Sequence, residues 1–262
     1  MVSNTLTGRE YWQNYWKSAN TEAAEVKRTA SGLSINAILD VFDKYLPVDN
    51  RLHALEIGGA PGQYLIYMAR NFKYKVHSLD YSKIGNEQTL KNLKIANIPV
   101  QIYERDLLSD NLKKELPSFD IVYSLGLIEH FVNLKSVVNK HLELLKPGGI
   151  LLLGVPNLGG IYKIILRRTA PEHLSFHNLE SMKTENWAKF ENELGLTVIF
   201  KGYVSGFEPL IMDKLETSTW LSRSLNLTVR NLSRVFSYRL KWLRSFNSRY
   251  WSGYFIGIYR KK

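Results

Sequence analysis

A short turn of small residues separates two apolar segments near residue 60. Residues 52–57 read LHALEI, which is typical of a buried strand, and residues 58–62 read GGAPG. Residues 63–69 then show the apolar spacing of a helix. A glycine turn lets a ligand approach the backbone closely because no Cβ stands in the way, and the free N–H groups at a helix start carry partial positive charge. The stretch therefore predicts a strand, a ligand-binding turn and a helix.

The turn does not match the dinucleotide fingerprint G-x-G-x-x-G. Counted from Gly58, that fingerprint needs glycine at positions 60 and 63, where the sequence has Ala60 and Gln63. The pattern present is acid-x-Gly-x-x-x-Gly, from Glu56 to Gly62. It resembles motif I of the class I S-adenosylmethionine (SAM)-dependent methyltransferases, L-[DE]-[IV]-G-x-G-x-G. Because Ala60 replaces the middle glycine, we expect its methyl group to make tighter contact with the ligand.

Two further segments resemble the same family. Residues 119–122 read FDIV, similar to the family's F-D-x-[VI] strand, and residues 145–149 read LKPGG before a strongly apolar run. The resemblance covers about residues 50–157 closely and favours a small-molecule methyltransferase of type 11 or 12. It implies SAM as the cofactor and S-adenosyl-L-homocysteine (SAH) as the product.

The resemblance also implies cofactor-binding residues at the ends of the first four strands. Asp80 ends the segment KYKVHSLD, and a carboxylate there can accept both ribose hydroxyls of a nucleoside. In the family an acid after the third strand faces the adenine amino group, which carries over to Asp106. The expected set is Glu56, Gly58, Gly59, Gly62, Asp80, Tyr81, Asp106, Leu107 and Ser124. The alternative is that the two aspartates are ordinary turn and loop residues.

Glu129 and His130 follow the fourth predicted strand, where donor and acceptor would meet. The ordinary pKa of histidine lies near neutrality, so His130 is the candidate catalytic base. In many relatives, however, this histidine is structural. In some relatives the pattern E-x-x-E-H binds a divalent metal, but its first acid is replaced here by Gly126. We therefore expect no metal.

A helix at residues 8–18 carries Tyr11, Trp12, Tyr15 and Trp16 on one broad face. N-terminal helices cover the SAM pocket in many class I methyltransferases. By resemblance, the aromatic face could line the acceptor site, with Tyr11, Trp12 and Tyr15 as the expected contacts. The alternative is that these rings only pack the helix onto the domain.

His173 and His177 belong to a segment similar to one that borders the acceptor pocket in type 11 and type 12 methyltransferases. We expect them to contact the acceptor. Two histidines four residues apart on a helix could also bind a metal ion. No third ligand is evident from the sequence, so this alternative is less favoured.

Strands and helices alternate along the chain, and this order must position the candidates. The predicted strands are 52–57, 75–80, 99–104, 119–125, 148–155, 196–203 and 251–259. The predicted helices are 33–46, 61–72, 83–96, 110–115, 134–145 and 186–194. This alternation predicts an α/β fold with a Rossmann-like, seven-stranded, mostly parallel sheet and helices on both faces. We divide the chain into a helical lid at 1–48 and a SAM-binding domain at 49–262.

The 262-residue chain has a formal charge of +11 and no cysteine, which excludes disulfides and a cysteine nucleophile. Ten Lys and Arg residues follow position 216, with no acid among them. They lie mostly in an insert at about 205–250, where residues 225–246 show the pattern of a basic amphipathic helix. It would bind an anionic membrane surface or a phosphorylated acceptor; the alternative is a helix packed on the domain with solvated charges.

We expect a SAM-dependent methyltransferase that moves a methyl group to an oxygen or nitrogen nucleophile. The acceptor would be a small molecule or a glycan- or lipid-linked group. The alternatives are a non-catalytic SAM-fold binding protein and an RNA methyltransferase, although no RNA-binding module is recognised. No signal peptide or spanning apolar run is present, which predicts a cytoplasmic protein. Peripheral attachment to the inner membrane face is a further prediction.

Overall fold

A computed structural model of the chain describes residues 4–19, 25–29, 32–208, 220, 223–224, 227–228, 231 and 246–262. Within these residues the strands are β1 His53–Ile57, β2 Lys75–Asp80, β3 Val100–Glu104, β4 Phe119–Leu125, β5 Leu145–Pro156, β6 Thr197–Phe207 and β7 Ser252–Arg260. They form one sheet in the order β3-β2-β1-β4-β5-β7-β6. β1 to β5 pair in parallel, and β7 runs antiparallel to both of its neighbours. The predicted Rossmann-like α/β fold is confirmed.

The α-helices of the described residues lie between these strands and before them. They are α1 Arg9–Ser18, α2 Leu33–Tyr45, α3 Gln63–Tyr67, α4 Lys83–Ile95, α5 Leu112–Glu115, α6 Leu134–Glu143, α7 Gly160–Thr169, α8 Pro171–Ser175 and α9 Thr184–Glu193. α3 continues as a π-helical turn at Met68–Phe72, and short 3-10 turns lie at Ile128–His130 and Leu179–Met182. The predicted helices correspond to α1 to α6 and α9, with ends that differ by a few residues, whereas α7 and α8 were not predicted.

The core lies on both faces of the sheet because the strands are apolar on both sides. One cluster packs Leu55, Val122 and Leu151 against Trp187 of α9. The other packs residues on the opposite side of the same strands against α2, including its fully buried Phe42. α2 is therefore part of the packed core. The division of the chain at residue 48 stays a prediction.

The strand register brings the candidate residues together at one edge of the sheet. Ile57 pairs with Leu79, and the Gly58 N–H donates to the Leu79 carbonyl (2.8 Å). The glycine turn therefore lies beside Asp80. β4 ends on the other side of β1, and its Leu125 pairs with Gly154 of β5. The carboxyl ends of these parallel strands form one crevice.

α1 is held over this crevice at both of its ends. Before the helix, the Leu6 N–H donates to the His130 carbonyl (2.8 Å), and the Val132 N–H donates to the Asn4 carbonyl (3.0 Å). At the far end, the Gln88 side chain on α4 donates to the Trp16 carbonyl (2.7 Å). These contacts place α1 as a cover above the carboxyl ends of β1, β2 and β4.

The predicted basic helix at 225–246 lies outside the described residues except at positions 227–228, 231 and 246. The insert at about 205–250 is likewise described only in part, and β6 extends to Phe207 before it. Among the residues that the structure describes, none of the helices is both long and apolar enough to cross a bilayer.

Candidate active site

A cavity of about 570 Å³ lies between α1 and the carboxyl ends of the strands. We call its first part the turn end, lined by Gly58, Ala60, Asp80, Tyr81, Asp106 and Leu107. We call its second part the histidine end, lined by Glu129, His130, His173 and His177. Trp12, Tyr15 and Trp16 of α1 also line the cavity and form its aromatic cover. The two predicted sets of contacts thus share one space.

The turn needs glycine at two positions for different reasons. Gly58 has φ +71° and lines the cavity, so its backbone is open to a ligand. Gly62 has φ +91°, and a Cβ there would lie 2.5 Å from Leu93 Cδ1 on α4. Gly62 therefore allows α3 and α4 to pack closely and does not line the cavity.

Asp80 is the buried acid of the turn end. Its Oδ1 accepts the Ser82 N–H (2.7 Å), which fixes the carboxyl group at the strand end. Burial raises the pKa of Asp80 to about 6, against the effect of this hydrogen bond. Arg9 of α1 places its guanidinium 5.0 Å from the centre of the Tyr81 ring. Asp80 and Tyr81 thus lie under the first turn of the cover.

Asp106 and Leu107 complete the turn end beyond β3. The Leu108 N–H donates to Asp106 Oδ1 (2.9 Å), so the carboxyl group closes a tight turn while the residue remains exposed. Leu107 is buried beside it. An acid and an apolar side chain therefore lie side by side at the cavity wall, as the sequence predicts.

Several predicted cofactor contacts lie beneath the cavity instead of lining it. Glu56 is buried and accepts the Tyr123 hydroxyl (3.1 Å), and burial raises the pKa of Glu56 well above its usual value. Ser124 is also buried, with its Oγ 3.0 Å from His141 Nε2. Ser124 does not line the cavity, because β4 turns this side chain into the interior, and its contact with the cofactor stays a prediction. Gly59 also lies outside the lining, against Ser78.

The histidine end brings the adjacent residues Glu129 and His130 together with His177, which lies much later in the sequence. One ligand atom each from Glu129, His130 and His177 lies within 4.8 Å of the others. Glu129 Oε1 is 4.0 Å from His130 Nε2. The sequence suggested no third potential metal ligand near His173 and His177; the fold supplies Glu129. His173 is the neighbour of His177, with ring centres 4.6 Å apart.

Hydrogen bonds fix the orientation of the two central imidazoles. His130 Nδ1 lies 2.8 Å from the Phe176 carbonyl oxygen, and His177 Nδ1 lies 2.7 Å from the His173 carbonyl oxygen. A carbonyl oxygen can only accept a hydrogen bond, so each Nδ1 carries the ring hydrogen. Each Nε2 therefore has a free lone pair. Burial lowers the pKa of both rings, that of His177 to about 3. Both rings are therefore neutral at pH 7.

The aromatic cover touches the histidine end directly. The Trp12 ring lies edge-on to His130 with centres 5.1 Å apart, and its Nε1 donates to Thr7 (3.1 Å). Tyr11 differs from the prediction. It packs on Phe176 with ring centres 5.1 Å apart and does not line the cavity. The helix turns Tyr11 to the side, so its part is to hold α1 in place.

Some lining residues were not predicted, among them Arg9, Thr7 and Pro156. Arg9 directly precedes the aromatic face, but no spacing rule connects it with Tyr81, which lies on another element. Pro156 ends the LKPGG strand, whose resemblance indicated the fold but no contact. These positions depend on how α1 and β5 pack, which local patterns do not specify.

A sequence profile described as a methyltransferase domain matches residues 29–203, more than half of the chain. The chain belongs to the class I SAM-dependent methyltransferase family. Its methyl donor is SAM. No curated protein matches the sequence.

Solved structures of the same fold belong to methyltransferases that are named for different acceptor atoms. The geranyl diphosphate C-methyltransferase from Streptomyces coelicolor A3(2), solved with Mg²⁺, geranyl diphosphate and SAH, has a TM-score of 0.63 and 11% identity, covering 97% of this chain and 98% of its own. An O-methyltransferase family protein from Burkholderia thailandensis has a TM-score of 0.56 and 16% identity, and the match covers 97% of this chain and 59% of that protein. A Haemonchus contortus phosphoethanolamine N-methyltransferase has a TM-score of 0.57 and 17% identity, covering 85% and 52%. At these identities the similarity shows the fold, and it leaves the acceptor atom open.

Proposed function

We propose that this methyltransferase binds SAM at the turn end of its cavity and a small acceptor at the histidine end. The observation that carries the proposal is that both sets of residues line one cavity beneath the same cover. An acceptor placed there would face the SAM methyl group with little water between them. The proposed acceptor atom is an oxygen or a nitrogen.

At the turn end, each polar group has a proposed partner on SAM. Asp80 would accept the ribose hydroxyls, because its buried carboxylate lies at the strand end beside the glycine turn. Tyr81, Asp106 and Leu107 would surround the adenine ring. The open backbone at Gly58 would face the methionine part. Glu56, below the turn, would support the turn through its bond to Tyr123.

The proposed reaction is a direct displacement at the methyl carbon of SAM. The acceptor lone pair attacks that carbon, the carbon–sulfur bond breaks, and its electron pair stays on sulfur to give SAH. The sulfonium is already a good leaving group, so the protein contributes mainly alignment and exclusion of water. His130 Nε2 is the proposed acceptor of the proton that the nucleophile loses, because it has a free lone pair in the cavity.

The cavity favours a small acceptor over a polymer. α1 covers the crevice, and the chain before it is hydrogen-bonded to residues 130–132. An acceptor must fit beneath Trp12 and Tyr15 together with SAM in about 570 Å³. A glycan- or lipid-linked acceptor could place only its reactive end inside. The proposed membrane contact of the basic region stays a sequence-based prediction.

The cofactor part of the proposal is tested by Asp80→Asn, with SAH affinity measured by titration calorimetry. Loss of a hydrogen bond to a charged group costs about 1.5–3 kcal/mol, so we expect about 10- to 100-fold weaker binding. The matched control is Asp120→Asn. Asp120 pairs with Lys146 (2.8 Å) and lies outside this cavity, so SAH affinity should be unchanged. Equal affinity of wild type and Asp80→Asn would refute the assigned role of Asp80.

A further inference from the structure

The histidine end presents hydrogen-bond acceptors to the cavity. His130 and His177 each use the Nδ1 hydrogen on a backbone carbonyl, which leaves the Nε2 lone pair free. Glu129 is 1% exposed, and its Oε2 has no hydrogen-bond partner among the described residues. Buried polar atoms are normally paired, so an unpaired one at a cavity wall indicates a position where a ligand can bind. That ligand must donate hydrogens or carry positive charge.

None of the positively charged side chains among the described lining residues pairs with the Glu129 carboxyl group. The cationic residues that line the cavity are Arg9 and Arg105, and both belong to the turn end. Arg9 lies over the Tyr81 ring, and Arg105 Nε donates to Glu115 (2.7 Å). Burial accordingly raises the pKa of Glu129 to about 8. A bound cation would favour the ionised carboxylate and supply its partner.

The spacing of the three groups is compared with that around an ammonium group and around a metal ion. An ammonium nitrogen about 2.9 Å from each acceptor holds the acceptors about 4.7 Å apart at tetrahedral angles. A zinc-like ion with bonds of about 2.1 Å holds its ligands only about 3.4 Å apart. Here the three atoms lie within 4.8 Å of one another, and Glu129 and His130 are 4.0 Å apart. The separation of Glu129 and His130 lies between these two values, so spacing alone does not choose between an ammonium and a metal ion, and the metal titration below makes that choice.

We infer that the acceptor is a small amine, bound as its ammonium ion by Glu129, His130 and His177. This inference rests on the proposed function and specifies its substrate class. Trp12 also belongs to the site, because its ring contacts His130 and lines the cavity. A hydroxyl acceptor could satisfy only one of the three lone pairs.

The reaction then balances within the site. The ammonium first gives one proton to His130 Nε2, which leaves an amine with a lone pair and hydrogens bonded to Glu129 and His177. The lone pair forms the new nitrogen–carbon bond as the methyl carbon–sulfur bond breaks, with its electron pair left on sulfur. The positive charge moves from sulfur to nitrogen. The Glu129 carboxylate lies where that charge arrives, and such placement favours the transition state.

The test compares primary alkylamines with alcohols of the same chain length, titrated into protein saturated with SAH. We expect the amines to bind at least about tenfold more tightly than the alcohols. Glu129→Gln keeps the shape and removes the charge, so it should remove this difference while SAH affinity is retained. Glu191→Gln is the matched control. Glu191 is also buried, but it pairs with Lys201 (2.7 Å) outside the cavity, so its variant should keep the preference.

Equal binding of alcohols and amines by protein that binds SAH normally would overturn the amine inference alone. Failure of the folded protein to bind SAH would overturn the proposed function as well. Mn²⁺ and Zn²⁺ are titrated in parallel. Tight binding of either ion that disappears in Glu129→Gln, without selectivity for amines, would assign the cluster to a metal and overturn the inference.

Discussion

Asp80 and Glu129 line the same cavity, but their carboxyl groups have different surroundings. Asp80 accepts a hydrogen bond from a backbone N–H, and its pKa is raised only to about 6. Its carboxyl group is therefore mainly ionised at pH 7. Glu129 has an unpaired oxygen, and its pKa of about 8 keeps it mainly protonated until a cation binds. Burial raises both pKa values, but the two carboxyl groups differ in protonation state at pH 7, and this difference separates their roles. One suits neutral hydroxyl donors and the other suits a cation.

SAH binding should therefore depend on pH through Asp80. Its ionised form accepts both ribose hydroxyls, and its protonated form loses one acceptor position. With a pKa of about 6 in the empty site, affinity is expected to fall as pH is lowered through 6. Between pH 7.5 and 5.0 the loss should reach up to about tenfold for one linked proton. Calorimetry at several pH values measures it.

The Asp80→Asn variant provides the control for this pH profile. It cannot titrate, so its weaker SAH affinity should be nearly constant across the same range. A wild-type profile that is flat between pH 5.0 and 7.5 would contradict the assignment. So would a variant profile as steep as that of the wild type.

Among single residues, those defined by a local pattern could be predicted from the sequence. Asp80, Gly58 and Leu107 belong to short motifs at strand ends, and all three line the cavity. Ser124 and Tyr11 do not line it, because one residue along a strand or helix changes the direction of a side chain. The grouping of Glu129 with His177 could not be predicted from the sequence, because it depends on a long-range contact between two loops.

At the scale of elements, α1, α4 and the glycine turn meet at one point. Gly85 lies in the first turn of α4, and a Cβ there would be 2.9 Å from Ala60 Cβ and 3.2 Å from the Trp16 ring. Ala60 replaces the middle glycine of motif I, and the space for its methyl group is left by Gly85. The methyl group therefore packs on α4 as well as lining the cavity. The tighter contact between this methyl group and the ligand stays a prediction.

We predict that Gly85→Ala displaces Trp16 and weakens the cover. Overpacking of this kind costs about 1–3 kcal/mol in stability, and SAH affinity should fall because Trp16 lines the cavity. Adding Ala60→Gly removes the closest contact, so the double variant should recover most of the lost stability and affinity. Urea unfolding and calorimetry measure both. A double variant no better than Gly85→Ala would show that these residues do not pack together.

The element boundaries followed the sequence closely where hydrophobic periodicity was strong. β2 and β4 have the predicted ends, and α4 ends one residue early. β5 begins at Leu145 instead of 148 because Leu145 already pairs with β4, and Gly148 and Gly149 bond to Lys261, directly after β7. The short turn at Ile128–His130 has too few residues for any periodicity, although it positions the histidine end.

At the scale of the whole molecule, the fold and the methyl donor are better defined than the acceptor. The family match establishes a SAM-dependent methyltransferase, and solved structures of this fold include C-, N- and O-methyltransferases. Nothing in the order of strands chooses among these atoms. We propose that side chains at the histidine end make this choice. The anionic partner stays a prediction, based on the net charge of +11 and on the excess of basic residues after position 216.

The most direct test of the account is transfer of a labelled methyl group from SAM. The protein is incubated with labelled SAM and a cell extract, and the small-molecule, lipid, glycan, RNA and protein fractions are separated. We predict label in small basic compounds, dependent on enzyme and strongly reduced by Asp80→Asn and by Glu129→Gln. Label confined to the RNA or protein fraction, or undiminished label with both variants, would contradict the assignment of this cavity.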